Sequence, residues 1–297
     1  MSLEVLKRLT TEKLNAAPKR DGAAAFGVSG VIPFWYHQTS KLEVTVYRPL
    51  MCIVLQGEKE MLFHHSTITL GPGKGIIVSQ HLPIAARISH ASRDTPYLAV
   101  VVPLEIERLR KLNDTVLQMP QKRQYARTLK SFDLDVSVAN TLQRILELSP
   151  GSPKASLLGD IYSDELHAQL LLGDAGDDLR VLLAENSQAN RIALTIAHIR
   201  DDLSRQISIA ELVDISGMSN STLHEQFKFT TGTTPLQFQK DLRLLQARNS
   251  LASSTQPVSQ VAFDVGYTSP TQFAREYKRK FGTSPRQDRI AGTAALV

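Results

Sequence analysis

One short unit occurs twice between residues 209 and 285 of this chain. Gly217 of the first copy corresponds to Gly266 of the second, 49 residues later, whereas Ser219 corresponds to Ser269, 50 residues later. The second copy therefore carries one additional residue between its glycine and its serine. Because self-similarity at a fixed spacing indicates a repeated structural unit, this region is predicted to fold as two copies of one element.

Each copy is predicted to be a helix, a tight turn and a second helix. In the first copy, apolar residues at helical spacing precede Gly217, which stands where a left-handed residue would end the helix. Ser219 then stands where a hydroxyl can cap the next helix, on which Leu223 and Phe227 lie four residues apart on one face. The second copy repeats these features. The predicted helix-turn-helix units are residues 209–231 and 258–281.

The outward faces of the two second helices carry residue types that bind DNA. Hydroxyl, amide, imidazole and basic side chains bond base edges and phosphates, and a helix of this kind fits the major groove. For a single helix, a polar face that is only solvated is an equally good interpretation. Its duplication in register, with basic C-terminal halves, favours DNA binding. The outward residues are Asn220, Ser221, His224, Glu225 and Lys228 in the first unit and Thr271, Gln272, Arg275, Lys278 and Arg279 in the second.

The repeated region resembles the double helix-turn-helix DNA-binding domain of the AraC/XylS family of bacterial transcription regulators. The segment between the units also matches the linker helix of that family, through Arg243, Ala247, Arg248 and Leu251. Glu225 departs from the pattern, because the family often has a basic residue there. The other matching residues are Gly217, Met218, Ser219, Leu223, Phe227, Lys228, Gly232 and Pro235, then Val261, Ala262, Val265, Gly266, Tyr267, Ser269, Phe273, Arg275, Tyr277, Lys278, Phe281, Gly282, Ser284 and Pro285.

The segment between the units is expected to place both units on one DNA duplex. As a helix, Pro235 to Leu251 would be roughly 25 Å long, and two recognition helices that enter successive major grooves stand about 34 Å apart. We therefore expect one protomer to enter two successive grooves. Base contacts are expected from Ser221, His224, Thr271, Gln272 and Arg275, and phosphate contacts from Asn220, Lys228, Lys278 and Arg279.

Positive charge is concentrated in the C-terminal part of the chain. The formal net charge is +5, and residues 190–297 carry 13 Lys and Arg against 9 Asp and Glu, which accounts for +4 of it. A nearly neutral half joined to a basic half fits a sensor joined to a nucleic-acid binder. The expected partners are double-stranded promoter DNA, RNA polymerase and a small-molecule effector.

Residues 28–102 are predicted to form seven or eight short strands separated by turn residues such as Gly71-Pro72-Gly73. Strands at this spacing favour a closed or sandwiched antiparallel fold, and barrels of that size can hold one small ligand. The predicted strands are Phe34 to Tyr36, Val44 to Tyr47, Met51 to Gln56, Glu60 to Phe63, Ser66 to Leu70, Gly75 to Val78, Ile84 to Ile88 and Tyr97 to Val102.

This strand region is similar to the cupin-like N-terminal domain of one subgroup of the same regulators. The similarity lies in Leu55-Gln56-Gly57, in the segment from Gly71 to Ser79 and in Leu82-Pro83. It implies effector sensing and names neither the effector nor the residues that bind it. The expected fold class is α+β with two domains, a cupin-like antiparallel β-barrel with flanking helices and an all-α double helix-turn-helix domain.

Histidines in the strand region raise the alternative of a cupin-type metalloenzyme domain fused to a DNA-binding module. Two ligands on one strand must be two residues apart to point to the same side, whereas His64 and His65 are adjacent. We therefore expect no metal, no cofactor and no catalytic residue, and interpret these two residues, with His81 and His90, as turn or surface residues. A DNA-binding architectural protein without an effector is the second alternative.

The chain becomes helical after Pro103. Helices are predicted at Glu105 to Leu112, Val136 to Leu148 and Ala155 to Leu172, and the last carries many leucines. Such a helix either packs on the barrel or pairs two protomers, so a homodimer is possible. A helix over 187–205 is expected to begin the DNA-binding domain. The boundary is placed within 173–187, at Gly173–Gly176 or just after Ala184, which gives a sensing and dimerisation domain at 1–186 and a DNA-binding domain at 187–297.

The N-terminus lacks the apolar core of a signal peptide, and no apolar run is long enough to cross a membrane. The protein is therefore expected in the cytoplasm, away from membranes. Its one cysteine, Cys52, excludes a disulfide framework within the chain. Cys52 stands in an apolar run, where a buried, inert thiol is expected, with a ligand-reactive thiol as the alternative.

Overall fold

The computed structural model describes residues 2–16, 21–23, 28, 30–63, 66–115, 126–185 and 187–289. The chain forms two compact units, residues 1–190 and residues 191–297. The N-terminal unit contains the strands and five helices, and the C-terminal unit is helical.

The N-terminal unit is built on two antiparallel sheets. The six-stranded sheet has the order β1-β2-β9-β4-β7-β10, and the four-stranded sheet has the order β3-β8-β5-β6. The strands are β1 (Gly22–Ala23), β2 (Ile32–Tyr36), β3 (Glu43–Tyr47), β4 (Leu50–Gln56), β5 (Glu58–Phe63), β6 (Ser66–Leu70), β7 (Lys74–Val78), β8 (Leu82–His90), β9 (Tyr97–Pro103) and β10 (Leu129–Asp133).

All eight predicted strands are confirmed. Strands β1 and β10 were not predicted, because β1 has two residues and the two apolar residues of β10, Leu129 and Phe132, are three apart and do not show the two-residue period of a strand. The antiparallel N-terminal domain with flanking helices is confirmed, but the expectation of a closed barrel was wrong. The described strands form two separate sheets, so the sandwich is the form that this sequence adopts.

The central strands of the six-stranded sheet are buried on both faces. Met51, Ile53 and Leu55 of β4 belong to a core shared with the helices of this unit. Cys52 and Val54, which point the other way, belong to a core that lies between the two sheets. A strand covered on both sides reads as a continuous apolar run, which is what residues 50–55 show. Cys52 is 3% exposed, as the interpretation of a buried thiol requires.

Five helices belong to the described part of the N-terminal unit. The three helices predicted after residue 103 are confirmed to within a few residues, whereas α5 lies in the segment that was expected to be a linker. Leu179 and Leu183 of α5 are buried in the same core as the sheet, so Gly173–Gly176 is not a boundary between units. The helices are α1 (Ser2–Asn15), α2 (Ile106–Asp114), α3 (Val136–Glu147), α4 (Pro153–Leu172) and α5 (Gly176–Leu183).

Six helices whose bounds are fully described follow, and residues 285–289 are also helical. The first of them starts at Gln188, so its first three residues belong to the N-terminal unit and the rest to the C-terminal unit. The two helix-turn-helix units and the helix that joins them are confirmed. Their bounds are α6 (Gln188–Asp201), α7 (Ile209–Ser216), α8 (Asn220–Thr231), α9 (Pro235–Ser253), α10 (Val258–Asp264) and α11 (Pro270–Phe281).

The turns and caps of the two units form as the sequence pattern predicts. Gly217 ends α7 in the left-handed conformation, with φ of 60°. The Ser219 hydroxyl accepts from the backbone N–H of Thr222 at the start of α8. Ser269 caps α11 in the same way, with Pro270 in the first helical turn. Local chemistry therefore fixes where both second helices begin.

Arg243 of α9 ties the turn of the second unit to the segment that precedes the first. Its guanidinium donates to the carbonyl oxygens of Leu203 at 2.6 Å, Ser204 at 3.2 Å and Arg205 at 3.0 Å. It also donates to the carbonyl oxygen of Gly266 at 3.1 Å. The backbone at Gly266 lies so close to Ser204 that a Cβ on Gly266 would be 2.3 Å from the Ser204 oxygen.

Among the helices in the ranges given above, none is both long enough and apolar enough to cross a membrane.

Gly266→Ala is expected to destabilise the C-terminal unit more than Gly282→Ala does. Both glycines have left-handed backbones, with φ of 86° and 74°, so each alanine costs about 1–2 kcal/mol. A Cβ at position 282 meets nothing within 4 Å, whereas at position 266 it collides with backbone. That collision adds about 1–3 kcal/mol. Hydrogen exchange of α10 and α11 peptides in the full-length protein measures the difference, and equal loss of protection in both variants would contradict the close contact.

Candidate nucleic-acid interface

The helix α8 presents one polar face to solvent and one apolar face to the core. Leu223 and Phe227 are fully buried, and the Phe227 ring packs edge-on against Phe238 of α9 with centroids 5.4 Å apart. On the opposite face, three of the four predicted contact residues are exposed and His224 is half-buried. The exposed residues are Asn220, Ser221 and Lys228.

The helix α11 has the same division. Phe273 and Tyr277 are fully buried, and the ring of Tyr277 makes tilted contacts with those of Phe273 and Phe281, with interplanar angles of 59° in both pairs. Four of the five residues predicted to contact DNA are exposed, and Gln272 is half-buried. The exposed residues are Thr271, Arg275, Lys278 and Arg279.

A buried carboxylate on α11 was not foreseen from the sequence. Glu276 is 7% exposed, and Tyr267 donates its hydroxyl proton to Glu276 Oε2 at 2.9 Å. Gln272 donates from its amide nitrogen to Glu276 Oε1 at 3.1 Å, and Lys240 of α9 donates to the same oxygen at 3.3 Å. One signal was present, because position 276 lies three residues after Phe273 and therefore on the buried side of the helix.

Glu276 is held as a carboxylate by its partners. Burial alone would raise its pKa, but the hydrogen bonds from Gln272, Tyr267 and Lys240 outweigh burial and lower the pKa. A second ion pair joins the same two helices, since Lys280 of α11 lies 2.6 Å from Asp241 of α9. These two charge pairs fix α11 on α9, and they distinguish Lys280 from the exposed Lys278 and Arg279.

The residues considered for a metal site do not come together in the described part of the chain. No group of three or more His, Cys, Asp or Glu side chains that could hold a metal ion occurs there. His90 lies 2.6 Å from the carboxylate of Glu58. His64 and His65 lie outside the described residues.

Two family models match this chain. Residues 27–178 match the N-terminus of AraC-type transcriptional regulators, and residues 212–290 match a helix-turn-helix domain. The second match contains both second helices of the repeated units and the linker helix between them.

Among curated proteins, the transcriptional activator RhaS of Escherichia fergusonii is 36% identical over 161 residues, which cover 53% of this chain and 57% of RhaS. The probable transcriptional regulator LumQ of Photobacterium leiognathi is 25% identical over 240 residues, which cover 80% of this chain and 87% of LumQ. The chain spans only 57%, 40% and 37% of three RhaS relatives, from Escherichia fergusonii, an Enterobacter species and Escherichia coli.

Among solved structures, ToxT of Vibrio cholerae with a bound unsaturated fatty acid has a TM-score of 0.59 and 10% sequence identity. The match covers 93% of this chain and 98% of ToxT. The apo form of a ToxT point variant from the same species matches with a TM-score of 0.58 and 10% identity, over 92% of this chain and 100% of that variant. At this identity the likeness concerns the fold alone.

Proposed function

Because the chain belongs to the AraC family of transcriptional regulators, we propose that it binds promoter DNA through both helix-turn-helix units and responds to a small molecule in its N-terminal unit. In this proposal residues 187–297 read DNA, and residues 1–186 sense the effector and pair protomers. The protein acts on DNA and on RNA polymerase in the cytoplasm.

The observation that carries the DNA-binding role is the repetition of one exposed polar face on α8 and α11. Both helices begin at a serine cap, and both bury an aromatic face against the rest of their unit. In both, hydroxyl and amide side chains lie in the first turn, and the last turn carries Lys228 in α8 and three basic residues in α11. This order suits a recognition helix, whose N-terminal residues meet base edges.

We assign two kinds of contact to these faces. Ser221, His224, Thr271, Gln272 and Arg275 read base edges, and Asn220, Lys228, Lys278 and Arg279 bind phosphates. Arg275 is exposed in the middle of α11, where a guanidinium can bond guanine at two positions. Lys278 follows at nearly one turn, where a flexible ammonium can reach the backbone.

Arg275→Ala and Lys278→Ala are expected to have different effects on DNA binding. Loss of a base contact at position 275 should relax sequence preference at one base pair, at a cost of about 1–3 kcal/mol. Loss of a phosphate contact at position 278 should weaken binding to all sequences alike and reduce the salt slope by about 1. Selection of bound sequences from a random pool and titrations at several salt concentrations measure these effects.

Arg93→Ala is the matched control, because Arg93 is an exposed basic residue in a loop of the N-terminal unit. It should leave both sequence preference and salt slope unchanged. Equal losses on specific and random DNA for both the 275 and 278 variants would contradict the division into base and phosphate contacts.

The surface of α4 supports a homodimer. Leu166, Leu170 and Leu171 of this helix are buried in the core, but Leu157, Ile161 and Leu172 are 72%, 57% and 61% exposed. Leu157 and Ile161 lie one turn apart on the same side of the helix. An exposed apolar stripe of this kind fits the isologous contact of a twofold dimer, in which each copy covers the other.

Leu157→Glu combined with Ile161→Glu is expected to convert a dimer into a monomer, because two buried charges without partners would oppose association. Sedimentation velocity of the full-length protein measures the change. Leu42→Glu is the control, since Leu42 is 52% exposed in the loop between β2 and β3. A monomeric wild-type protein, or a dimer that persists in the double variant, would contradict the role of α4.

Polar groups in the core between the two sheets support an effector site there. The Tyr97 hydroxyl is buried beside the Cys52 thiol, which is a weak hydrogen-bonding group. The Lys59 ammonium lies 5.1 Å from the centroid of the Tyr47 ring. The neighbouring carboxylates Glu58 and Glu60 pair instead with His90 and Arg87. Within the described part of the unit, the ammonium of Lys59 faces the ring and hydroxyl of Tyr47 and no carboxylate, and such a cation fits an acidic effector. ToxT, solved with an unsaturated fatty acid, offers a parallel.

Lys59→Met is expected to abolish stabilisation by an acidic effector. An organic acid at about 100 times its Kd stabilises a protein by about 2.7 kcal/mol. A thermal-shift screen of carboxylic acids, including fatty acids, should therefore raise the Tm of wild type and of the surface control Lys41→Met, but not that of Lys59→Met. If a ligand stabilises all three proteins equally, Lys59 does not hold the effector.

A further inference from the structure

The second helix-turn-helix unit contains a hydrogen bond between a glutamine and a buried carboxylate that the first unit lacks. In the register of the repeat, Gln272 and Glu276 correspond to Thr222 and Gln226 of the first unit. Glu276 is buried and Gln272 is half-buried, and their side chains are joined by a hydrogen bond. Position 226 of the first unit, which corresponds to Glu276, is a glutamine and therefore carries no carboxylate.

The charge of Glu276 decides which way the amide of Gln272 turns. An ionised carboxylate accepts hydrogen bonds and donates none, whereas a glutamine amide has a donating nitrogen and an accepting oxygen. Only the nitrogen of Gln272 can therefore face Glu276, and it does so at 3.1 Å. The oxygen of Gln272 is turned away from the carboxylate.

Two further donors keep Glu276 in place. Tyr267 binds one carboxylate oxygen, and Lys240 of α9 binds the other, which also accepts from Gln272. Rotation of the Glu276 side chain would break all three bonds and leave buried polar groups unsatisfied, which is costly. The orientation of Gln272 is thus set by the carboxylate of Glu276, which is 7% exposed.

We propose that Glu276 is a positioning residue that makes Gln272 read its base through the amide oxygen. This inference rests on the proposed role of Gln272 in base contact. An amide oxygen accepts from the exocyclic amino group of adenine or cytosine, whereas guanine and thymine offer acceptors at the corresponding place in the major groove. One of the two N–H groups of Gln272 donates to Glu276, and the amide oxygen is the group turned away from the carboxylate, so we expect the base that Gln272 faces to be adenine or cytosine.

Base analogues test this in the wild-type, full-length protein. Selection from a random DNA pool gives the preferred site, and the base pair at which Gln272→Ala loses preference is the one that Gln272 faces. Replacement of its adenine by purine, or of its cytosine by pyrimidin-2-one, removes only the amino group. We expect wild-type affinity to fall about tenfold, and the affinity of Gln272→Ala to stay unchanged by the analogue.

Glu276→Gln tests the positioning role. Because a glutamine at position 276 can both donate and accept, the amide of Gln272 can turn either way, and guanine or thymine should become acceptable at that base pair. Asp264→Asn is the matched control, since it makes the same carboxylate-to-amide change in α10, where the Asp264 carboxylate accepts from Gln260 at 2.7 Å. It should keep the wild-type preference.

The possible failures are distinct. A wild-type preference for guanine or thymine, or an unchanged preference in Glu276→Gln, would overturn the positioning role while leaving Gln272 as a base contact. If Gln272→Ala keeps the wild-type preference at every base pair, Gln272 does not read a base at all, and the proposed contact falls together with this inference. The same selection also measures sequence preference at the other base pairs. A loss of preference at all of them in Gln272→Ala would mean that the substitution displaces α11 as a whole, and Gln272 would then not be assigned to one base.

Discussion

The guanidinium of Arg243 holds the two helix-turn-helix units together in one compact unit. It lies on the helix between them and donates to backbone carbonyl oxygens in the segment 203–205 and at Gly266. A planar group with five donors can bind several carbonyl oxygens at once, which an ammonium cannot do in the same geometry. Two recognition helices can enter successive grooves only if their separation is kept, so the proposed DNA-binding mode depends on this connection.

The second constraint acts within α11. Its aromatic residues anchor the helix, and its two charge pairs with α9, Lys240 to Glu276 and Lys280 to Asp241, set its orientation. The cap at Ser269 fixes where the helix begins. The outward residues of α11 are therefore presented on a helix that is held at its start, along its buried face and near its end.

In the N-terminal unit, one sheet serves two cores. The residues of β4 alternate between the core with the helices and the core between the sheets, so Met51 and Cys52 are neighbours in sequence but belong to different layers. A molecule bound between the sheets would contact the reverse side of the strands on which the helices pack. This arrangement brings the proposed effector site within one strand of the helices, among them α4 with its exposed stripe.

The sequence by itself determined the local elements and the exposed faces. Periodicity and capping residues predicted eight strands, both helix-turn-helix units and the exposure of seven of the nine residues expected to contact DNA, because these features depend on residues near in the chain. Only the tertiary structure decided the pairing of β10 with β7, the packing of α5 where a linker was expected and the separation of the strands into two sheets. It alone also placed Glu276 between Tyr267 and Lys240. Partners distant in sequence leave no periodic signal, and their contacts exist only once the elements have packed.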